Sequence, residues 1–412
     1  MSSRLASALV QHIKRIPRTT VLLDNKVDLP FRIKYSVQRG IATREFSGSV
    51  AHRQTMASNE HGAWIGAQGA GSLDLRSDVM TVPTPAMLAA VANCSLRDDV
   101  FHEDPTTRDL EAHVAQLAGK EAALFVTSGT MGNQVALRSL LTQPPFGVLA
   151  DHRSHIILYE AGGVSSLTGA TVKPVVPKNG IHLTLEDVTA HAILSTDVHA
   201  CPTRVISLEN TLNGMIMPLS EMTRIAAFAR AHDIRVHCDG ARLWEAAAAG
   251  AGTLAQLCAP FDTVSLCFSK GLGAPVGSVV VGDAATLRHA RWVRKSLGGG
   301  MRQPGFIAAA ARVAVDETFS AGLLTASHET AKKVEAAWTG RGGRLVHPVH
   351  TNMCWIDVEA HGLTTEAFTG MCADEGLVVS GGRLVTHYQI AQNEAVVLPK
   401  LEKVFERILG GA

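Results

Sequence analysis

A single lysine lies where an apolar segment gives way to a glycine-rich one. In "SLCFSKGLGAPVGS", residues 265–278, the first four residues predict the end of a short strand. Gly271, Gly273 and Gly277 then predict a loop that leaves room beside the backbone. Lys270 stands between the two, where most of its surroundings should be protein. An amine held there can act as a nucleophile toward a carbonyl group.

An aspartate in another predicted strand is placed to act together with this lysine. The segment "IRVHCDGAR" ends a strand at Asp239 and continues to Arg242. Asp239 lies 31 residues before Lys270, about the length of one β-α-β step. Both residues can therefore sit at the same edge of a parallel sheet.

A third motif is suited to binding an anion. The segment "TSGTMGN" places Ser128, Gly129 and Thr130 at the start of a predicted helix. Backbone N–H groups and the helix dipole favour negative charge at such a position, and phosphate in particular.

Together the three motifs match the needs of pyridoxal phosphate. The lysine can form a Schiff base with its aldehyde, and the aspartate can pair with the pyridine nitrogen, which makes the ring an electron sink. Each motif alone has a plain structural explanation: an ion-paired or snorkelling lysine, or an ordinary helix N-cap. Their occurrence in one chain favours the cofactor.

The elements that must position these residues predict an α/β fold. From Leu73 onward, short apolar strands alternate with helical patterns, which indicates a mostly parallel sheet covered by helices. We expect a large cofactor-binding domain over residues 73–322 and a smaller α+β domain over 323–412. In the latter, "TNMCWIDV" and "RLVTHYQI" alternate like strands of an antiparallel sheet.

Composition restricts the partners of the protein. Of 412 residues, 46% are hydrophobic and 18% charged, and the formal net charge is +1, which does not favour nucleic acid or an acidic membrane surface. No apolar run approaches the roughly 18 residues of a membrane span. The seven cysteines are scattered without zinc-site spacing, which predicts reduced thiols in a reducing compartment. We expect a small-molecule substrate and no metal.

The first 72 residues differ in character from the rest. Residues 1–57 hold ten basic and three acidic residues, and the first helical stretch is amphipathic, as in a mitochondrial transit peptide. An unstructured tail, or a natural start at Met56, would also fit. We therefore expect an N-terminal extension over 1–72 and a mitochondrial or cytoplasmic protein.

Several motifs resemble those of the threonine aldolases, in the β-eliminating lyase group of fold-type I pyridoxal-phosphate enzymes. The resemblance starts at "LDLRSDVMTVPTPAML" and runs through "GKEAALFVTSGTMGNQVAL", "DHRSHIILYEAGG", "SLENTLNGMIMPL", "HCDGARLWEAA", "FSKGLGAPVGSVVVG" and "RLVTH". It covers residues 73 to about 390. It implies the aspartate-aminotransferase-like fold, cleavage of β-hydroxy-α-amino acids such as L-threonine or L-allo-threonine to glycine and an aldehyde, and a dimer or dimer of dimers. Another reaction of the same cofactor, β-elimination or transamination, and a non-catalytic relative are the alternatives.

The resemblance also implies roles for individual residues. Lys270 is the Schiff-base lysine, Asp239 pairs with the pyridine nitrogen, and His155 stacks on the ring. The remaining residues of the cofactor site are Ser128, Gly129, Thr130 and Arg242.

For the substrate, the resemblance implies that Ser77 and Arg383 bind the carboxylate, with Arg242 nearby. His199 corresponds to a second active-site histidine, and we expect it to lie closer to the proton-transfer path than His155. Arg302 in "GGGMRQPG" could reach a neighbouring subunit's site. Two positions depart from the family pattern: Leu212 stands where histidine is usual and Gly132 where alanine is common, and Leu212 puts inferences about substrate scope in doubt.

Overall fold

The computed structural model describes residues 70–410. The predicted transit peptide and most of the predicted linker lie outside these residues. All described residues belong to one compact unit. The boundary between a large domain at 73–322 and a small domain at 323–412 stays a prediction.

Ten strands alternate with helices along the described chain. They are β1 Ala122–Val126, β2 Gly147–Asp151, β3 Thr171–Val175, β4 Thr203–Glu209, β5 Arg235–Gly240, β6 Thr263–Cys267, β7 Ser278–Gly282, β8 Leu345–His347, β9 Met353–Ile356 and β10 Arg383–Val385.

The α-helices of the described chain are numbered in sequence order. They are α1 Pro85–Ala92, α2 Pro105–Leu117, α3 Gly129–Leu140, α4 His155–Leu158, α5 Gly163–Thr168, α6 Leu185–His191, α7 Leu219–Ala231, α8 Leu243–Ala248, α9 Leu254–Cys258, α10 Ala284–Ser296, α11 Gly305–Val313, α12 Leu323–Thr339, α13 Thr365–Asp374, α14 Tyr388–Gln392 and α15 Glu394–Leu409. Short 3₁₀ segments occur at Ala70–Leu73, Asp78–Met80 and Glu359–His361, and a π-helical segment at Ala314–Phe319. None of these helices is long and apolar enough to cross a membrane.

Helix starts follow from local sequence signals. Asp104 caps α2 by accepting a hydrogen bond from the backbone N–H of Thr107, and Pro105 occupies the first helical turn, where no donor is needed. Thr184 and Asp187 form a reciprocal capping box at α6. These caps fix where each helix begins, and so where the loops at the sheet edge run.

The first seven strands form one sheet in the order β1-β7-β6-β5-β4-β2-β3. Strand β7 is antiparallel to both β1 and β6, whereas the pairs β6-β5, β5-β4, β4-β2 and β2-β3 are parallel. This confirms the predicted α/β fold with a mostly parallel sheet. The carboxyl ends of β4, β5 and β6 therefore meet at one edge.

Helix α3 covers a polar stripe on one face of this sheet. Its Asn133 and Gln134 are buried, with 1% and 3% of their surface exposed. Below them, His237 and Asp239 point to the same face of β5 because they are two residues apart, and Thr263 of β6 is the register partner of His237. Buried polar groups need partners, so this stripe must form a hydrogen-bond network.

A second sheet lies in the C-terminal part, with β9 between β8 and β10 and both pairings antiparallel. Its apolar cluster includes Trp338, Phe368 and Phe405. The predicted strand "RLVTHYQI" is only partly correct, because the strand ends at Val385 and Tyr388–Gln392 is helical. The alternation of polar and apolar residues over these eight positions did not indicate the change from strand to helix.

Candidate active site

The predicted cofactor residues meet at the carboxyl edge of the large sheet. Glu209 and Asp239 are register partners at the ends of β4 and β5. Lys270 follows the end of β6 by three residues and is partly buried. Ser128 begins α3 directly after β1. The fold thus brings the three sequence motifs to one edge.

Asn133 is the centre of the network below this edge. Its amide nitrogen donates to the Asp239 carboxylate at 2.7 Å and to the Glu160 carboxylate at 2.8 Å. Asp239 also accepts from the backbone N–H of Ala241 at 3.1 Å. These donors hold the Asp239 carboxyl in place at the sheet edge, where it can pair with a protonated pyridine nitrogen.

His237 completes the network and its tautomer follows from the partners. The Asn133 amide hydrogens are both used, so its carbonyl oxygen accepts from His237 Nε2 at 3.1 Å. His237 Nδ1 is then free to accept from the Thr263 hydroxyl at 2.9 Å. Burial lowers the pKa of His237 to about 4, which keeps the ring neutral as this pattern requires.

His155 is held at the edge from two sides. Its Nδ1 lies 2.7 Å from Glu160 and donates to that carboxylate, which also accepts from Gln134 at 2.5 Å. Its backbone N–H donates to Glu209 at 2.7 Å. The bond through Nδ1 leaves Nε2 as the ring atom that can accept a proton, and 35% of the side chain is exposed.

Arg242 is engaged by an acid that the sequence analysis did not single out. It donates to the two carboxylate oxygens of Asp78 at 2.8 and 2.6 Å. Burial alone would raise the pKa of Asp78, but the charges of Arg242 and Lys270 hold it well below its ordinary value. The guanidinium is therefore committed mainly to Asp78, and the predicted place of Arg242 beside the cofactor and substrate stays a prediction.

Arg383 has the more available guanidinium. It donates to the backbone carbonyl of Arg76 at 2.9 Å, and its guanidinium carbon lies 5.9 Å from the centre of the Trp355 ring. Burial and the nearby charge of Arg242 lower its pKa. Ser77 caps the short helix that carries Asp78, so the two predicted carboxylate-binding residues lie on segments that meet around Arg76.

The glycine-rich loop after Lys270 is packed against other elements. A Cβ on Gly271 would collide with the Glu245 carboxylate, and one on Gly273, whose φ is +86°, would lie 2.7 Å from the Tyr388 hydroxyl. The backbone carbonyl of Lys270 accepts from the Thr81 hydroxyl at 2.9 Å. The glycines permit these close approaches, and the approaches fix the backbone at Lys270.

The predicted phosphate site lies at the amino end of α3. Ser128 caps the helix by accepting from the backbone N–H of Met131 at 3.1 Å. Beside it, the buried hydroxyl of Ser278 has no hydrogen-bond partner within residues 70–410. A Cβ on Gly129 would lie 3.7 Å from that hydroxyl. An anion at this helix start, near Gly129 and Thr130, would have backbone donors and a free hydroxyl.

His199 does not lie with these residues, and its predicted position is corrected. It precedes the first residue of β4, Thr203, whereas Glu209 ends that strand. A strand of seven residues spans roughly 20 Å, so His199 is at the opposite edge of the sheet. Its side chain is 90% exposed and its Nδ1 bonds to Asp197 at 2.8 Å.

Three side chains of the site have the spacing of metal ligands. One ligand atom from each of His155, Glu160 and Asp239 lies within 4.8 Å of the others, within the described part of the chain. Asn133 donates a hydrogen bond to each of the two carboxylates. Hydrogen bonding accounts for the close spacing, and the prediction of no metal remains a prediction.

The two departures from the family pattern have different surroundings. A Cβ on Gly132 would collide with the Ser265 hydroxyl, so Ser265 fills the space that an alanine methyl group would take. Leu212 is buried, with 4% of its surface exposed. Arg302, which the sequence predicts to reach a neighbouring subunit, is exposed and donates a hydrogen bond to Gln303 at 3.3 Å.

The profile of the beta-eliminating lyase family matches residues 74–361. The chain belongs to the beta-eliminating lyase family. It is 54% identical to Aldolase vrtJ of Penicillium aethiopicum over 80% of this chain and 84% of that one. It is 45% identical to Alanine racemase TOXG of Cochliobolus carbonum, over 86% and 92% of the two chains. It is 44% identical to a probable low-specificity L-threonine aldolase of Schizosaccharomyces pombe, over 81% and 88%.

Solved structures of this lyase family share the fold. The structure of Leishmania major threonine aldolase matches 82% of this chain and 99% of its own, with a TM-score of 0.68 and 21% identity. At 21% identity the match is evidence for the fold alone. That fold is the fold-type I architecture predicted from the sequence.

Pyridoxal phosphate is the cofactor of this lyase family, and the residues present fit it. The free Ser278 hydroxyl and the start of α3 suit the phosphate, while the Asp239 carboxyl, oriented by Asn133, suits the pyridine nitrogen. Lys270 supplies the amine for the aldehyde.

Sequence reasoning missed the residues that support this site: Asp78, Asn133, Gln134, Glu160, His237, Glu209 and Ser278. Two signals could have found some of them. His237 lies two residues before Asp239 in a strand and so shares its face, and "GNQ" places two amides in a helix that has to be buried. The partners themselves depend on the tertiary structure.

Proposed function

We propose that this chain is an aldolase that uses pyridoxal phosphate to cleave L-threonine or L-allo-threonine, and related β-hydroxy-α-amino acids, to glycine and an aldehyde. The observation that carries the proposal is the cluster of Lys270, Asp239 and His155 at one sheet edge. The identity of 44% to a probable low-specificity L-threonine aldolase supports the same reaction.

Each residue has a task that follows from its position. Lys270 would hold the cofactor through its amine, and Asp239, oriented by Asn133, would stabilise a proton on the pyridine nitrogen. Pyridoxal phosphate supplies an electron sink that accepts the electron pair of the broken bond. Arg383 binds the substrate carboxylate, a role suited to a planar guanidinium.

The base is His155 in this account. Glu160 orients its ring through Nδ1, so Nε2 can take the proton of the β-hydroxyl. The Cα–Cβ bond then breaks, the aldehyde leaves, and a proton returns to Cα to give glycine. His199, at the other edge of the sheet, has no part in this step within one chain.

A second candidate function is racemisation of alanine. It is favoured by the identity of 45% to Alanine racemase TOXG over 86% of this chain. That reaction would use the same lysine and aspartate but would break the Cα–H bond, and it would need no base for a β-hydroxyl.

Product analysis distinguishes the candidates. The purified protein with pyridoxal phosphate is incubated separately with L-threonine, L-allo-threonine and L-alanine, and aldehyde, glycine and D-alanine are measured. We expect equal amounts of acetaldehyde and glycine from a threonine isomer, and neither from the Lys270→Ala variant. D-Alanine without any aldehyde would favour the racemase, and a keto-acid product would favour transamination or β-elimination.

A further inference from the structure

We infer that Glu209 retains its proton and is neutral in the working site, and that Asp239 is the ionised member of this carboxyl pair. The effect of a neutral Glu209 on turnover rests on the proposed function. The assignment of the proton rests only on the arrangement of residues around the two acids.

The pair is close because of the sheet. Glu209 and Asp239 are register partners on adjacent parallel strands. Neighbouring strands lie about 4.8 Å apart and register partners point to the same face. Two carboxylates placed in this way repel each other when both are ionised, so one of them retains a proton.

The hydrogen bonds decide which acid retains it. Asp239 accepts from Asn133 at 2.7 Å and from the Ala241 backbone N–H at 3.1 Å. A reversed Asn133 amide would place its oxygen against the carboxylates of both Glu160 and Asp239, so the amide nitrogen is the atom that faces them. Glu209 accepts one hydrogen bond within the described chain, from the His155 backbone N–H at 2.7 Å. The ionised form is therefore better stabilised at Asp239.

The charged groups around Glu209 also favour its neutral form. Glu209 is partly buried at the end of β4. This burial, and then the charge of Asp239, raise the pKa of Glu209 to about 8, against the opposing effects of the His155 N–H, Lys270 and Arg242. Of the two cations, Arg242 is bound to Asp78 through both carboxylate oxygens. The charge of Arg242 is therefore largely balanced by Asp78 and contributes little at Glu209.

A neutral Glu209 acts as a positioning residue. One of its oxygens accepts from His155, which fixes the start of α4 and with it the ring. The other oxygen carries the hydrogen. Asp239 then holds the single negative charge of the pair, which would stabilise a proton on the pyridine nitrogen of the cofactor.

Glutamine is a matched replacement for a neutral glutamic acid. In Glu209→Gln, the amide oxygen can accept from His155 while the amide nitrogen replaces the protonated oxygen as donor. We expect kcat within about tenfold of wild type near neutral pH, the effect of one altered hydrogen bond. We also expect the fall in activity with a midpoint near pH 8, caused by ionisation of Glu209, to be absent from the variant. Loss of kcat by a factor of about 100 to 10,000, as for a removed general base, would overturn the inference.

Infrared spectroscopy of the holoenzyme gives a readout independent of activity. The carbonyl stretch of a protonated carboxylic acid is distinct from that of a carboxylate. At pH 7 the spectrum of wild type minus Glu209→Gln should show one acid band, and the exposed-site control Glu186→Gln should show none. The Glu209 band of wild type should disappear on raising the pH through about 8.

The Asp239→Asn variant tests the electrostatic coupling between the two acids. It also keeps the inference testable if Glu209→Gln does not fold. Removal of the neighbouring charge should move the disappearance of the Glu209 band to lower pH. An unchanged midpoint, or no acid band assignable to Glu209 in wild type at pH 7, would refute the inference. Because the band needs no substrate, failure to cleave threonine would overturn the proposed function and leave the protonation result standing.

Discussion

Arg242 and Asp78 are joined by two hydrogen bonds, at 2.8 and 2.6 Å, across 164 residues of sequence. The Asp78 side chain is fully buried, and 17% of the Arg242 side chain is exposed. This ion pair ties the segment after Leu75 to the strand end that carries Asp239. It stabilises the side of the site to which Lys270 and Arg383 also belong.

Breaking this pair should be costly. Asp78→Asn leaves a mostly buried guanidinium without its counter-charge, so we expect the free energy of unfolding to fall by about 3–5 kcal/mol. Urea unfolding measures it. The matched control is Glu186→Gln, which removes a pair in which Arg224 and Glu186 are 47% and 62% exposed, and should cost at most about 1 kcal/mol. Equal losses in the two variants would contradict the structural role of Asp78.

The free energy of unfolding should depend on pH through the ionisation of Glu209. Its pKa rises from 4.5 in the unfolded chain to about 8 in the folded protein. Between these values the folded state holds a proton that the unfolded state releases, so stability falls as pH rises through this window. Unfolding by urea at pH 5.5 and 8.5 should show a larger fall for wild type than for Glu209→Gln. An equal fall in the two proteins would show that the Glu209 carboxyl is already ionised in the folded protein.

Asp239→Asn should separate cofactor binding from turnover. The neutral amide no longer stabilises a proton on the pyridine nitrogen, so the electron sink weakens. We expect some cofactor to remain bound, as judged by visible absorbance, and most of the turnover of a threonine isomer to be lost. Near-normal turnover in this variant would contradict the role of Asp239.

Much of the site could be predicted from chain order. Residues that end parallel strands must meet at one edge, and this placed Asp239 and Lys270 together and Ser128 near them. The same rule argued against His199, because it precedes the strand "TRVISLEN" that the sequence itself indicates. There the family resemblance outweighed the topology, and the structure corrected it.

The supporting residues could not be predicted in the same way. Asn133 bonds to Glu160, Asp239 and His237, which are 27, 106 and 104 residues away in sequence. Such partners are fixed by the packing of α3 against β5 and against the segment that carries Glu160, and local sequence patterns carry no information about that packing. The helix Tyr388–Gln392 was missed for a related reason, since packing against α12 and α15 decided it over an alternating pattern.

The N-terminal extension should be dispensable for catalysis. Residues 1–57 precede every residue that we place in the site, so their removal should leave folding and activity intact. We propose that this segment is a mitochondrial transit peptide. N-terminal sequencing of the protein isolated from cells should then begin near Ala42 or later, and a cytosolic protein beginning at Met1 would refute the targeting role.

The covalent link between Lys270 and the cofactor is the central claim, and trapping it is the most direct test. Borohydride reduction of the holoenzyme fixes pyridoxal phosphate on the lysine that carries it, and peptide mass spectrometry then locates the added mass. We predict that the modified peptide contains Lys270 and that the Lys270→Ala protein yields no modified peptide. Modification of a different lysine, or of none in protein saturated with the cofactor, would contradict the account.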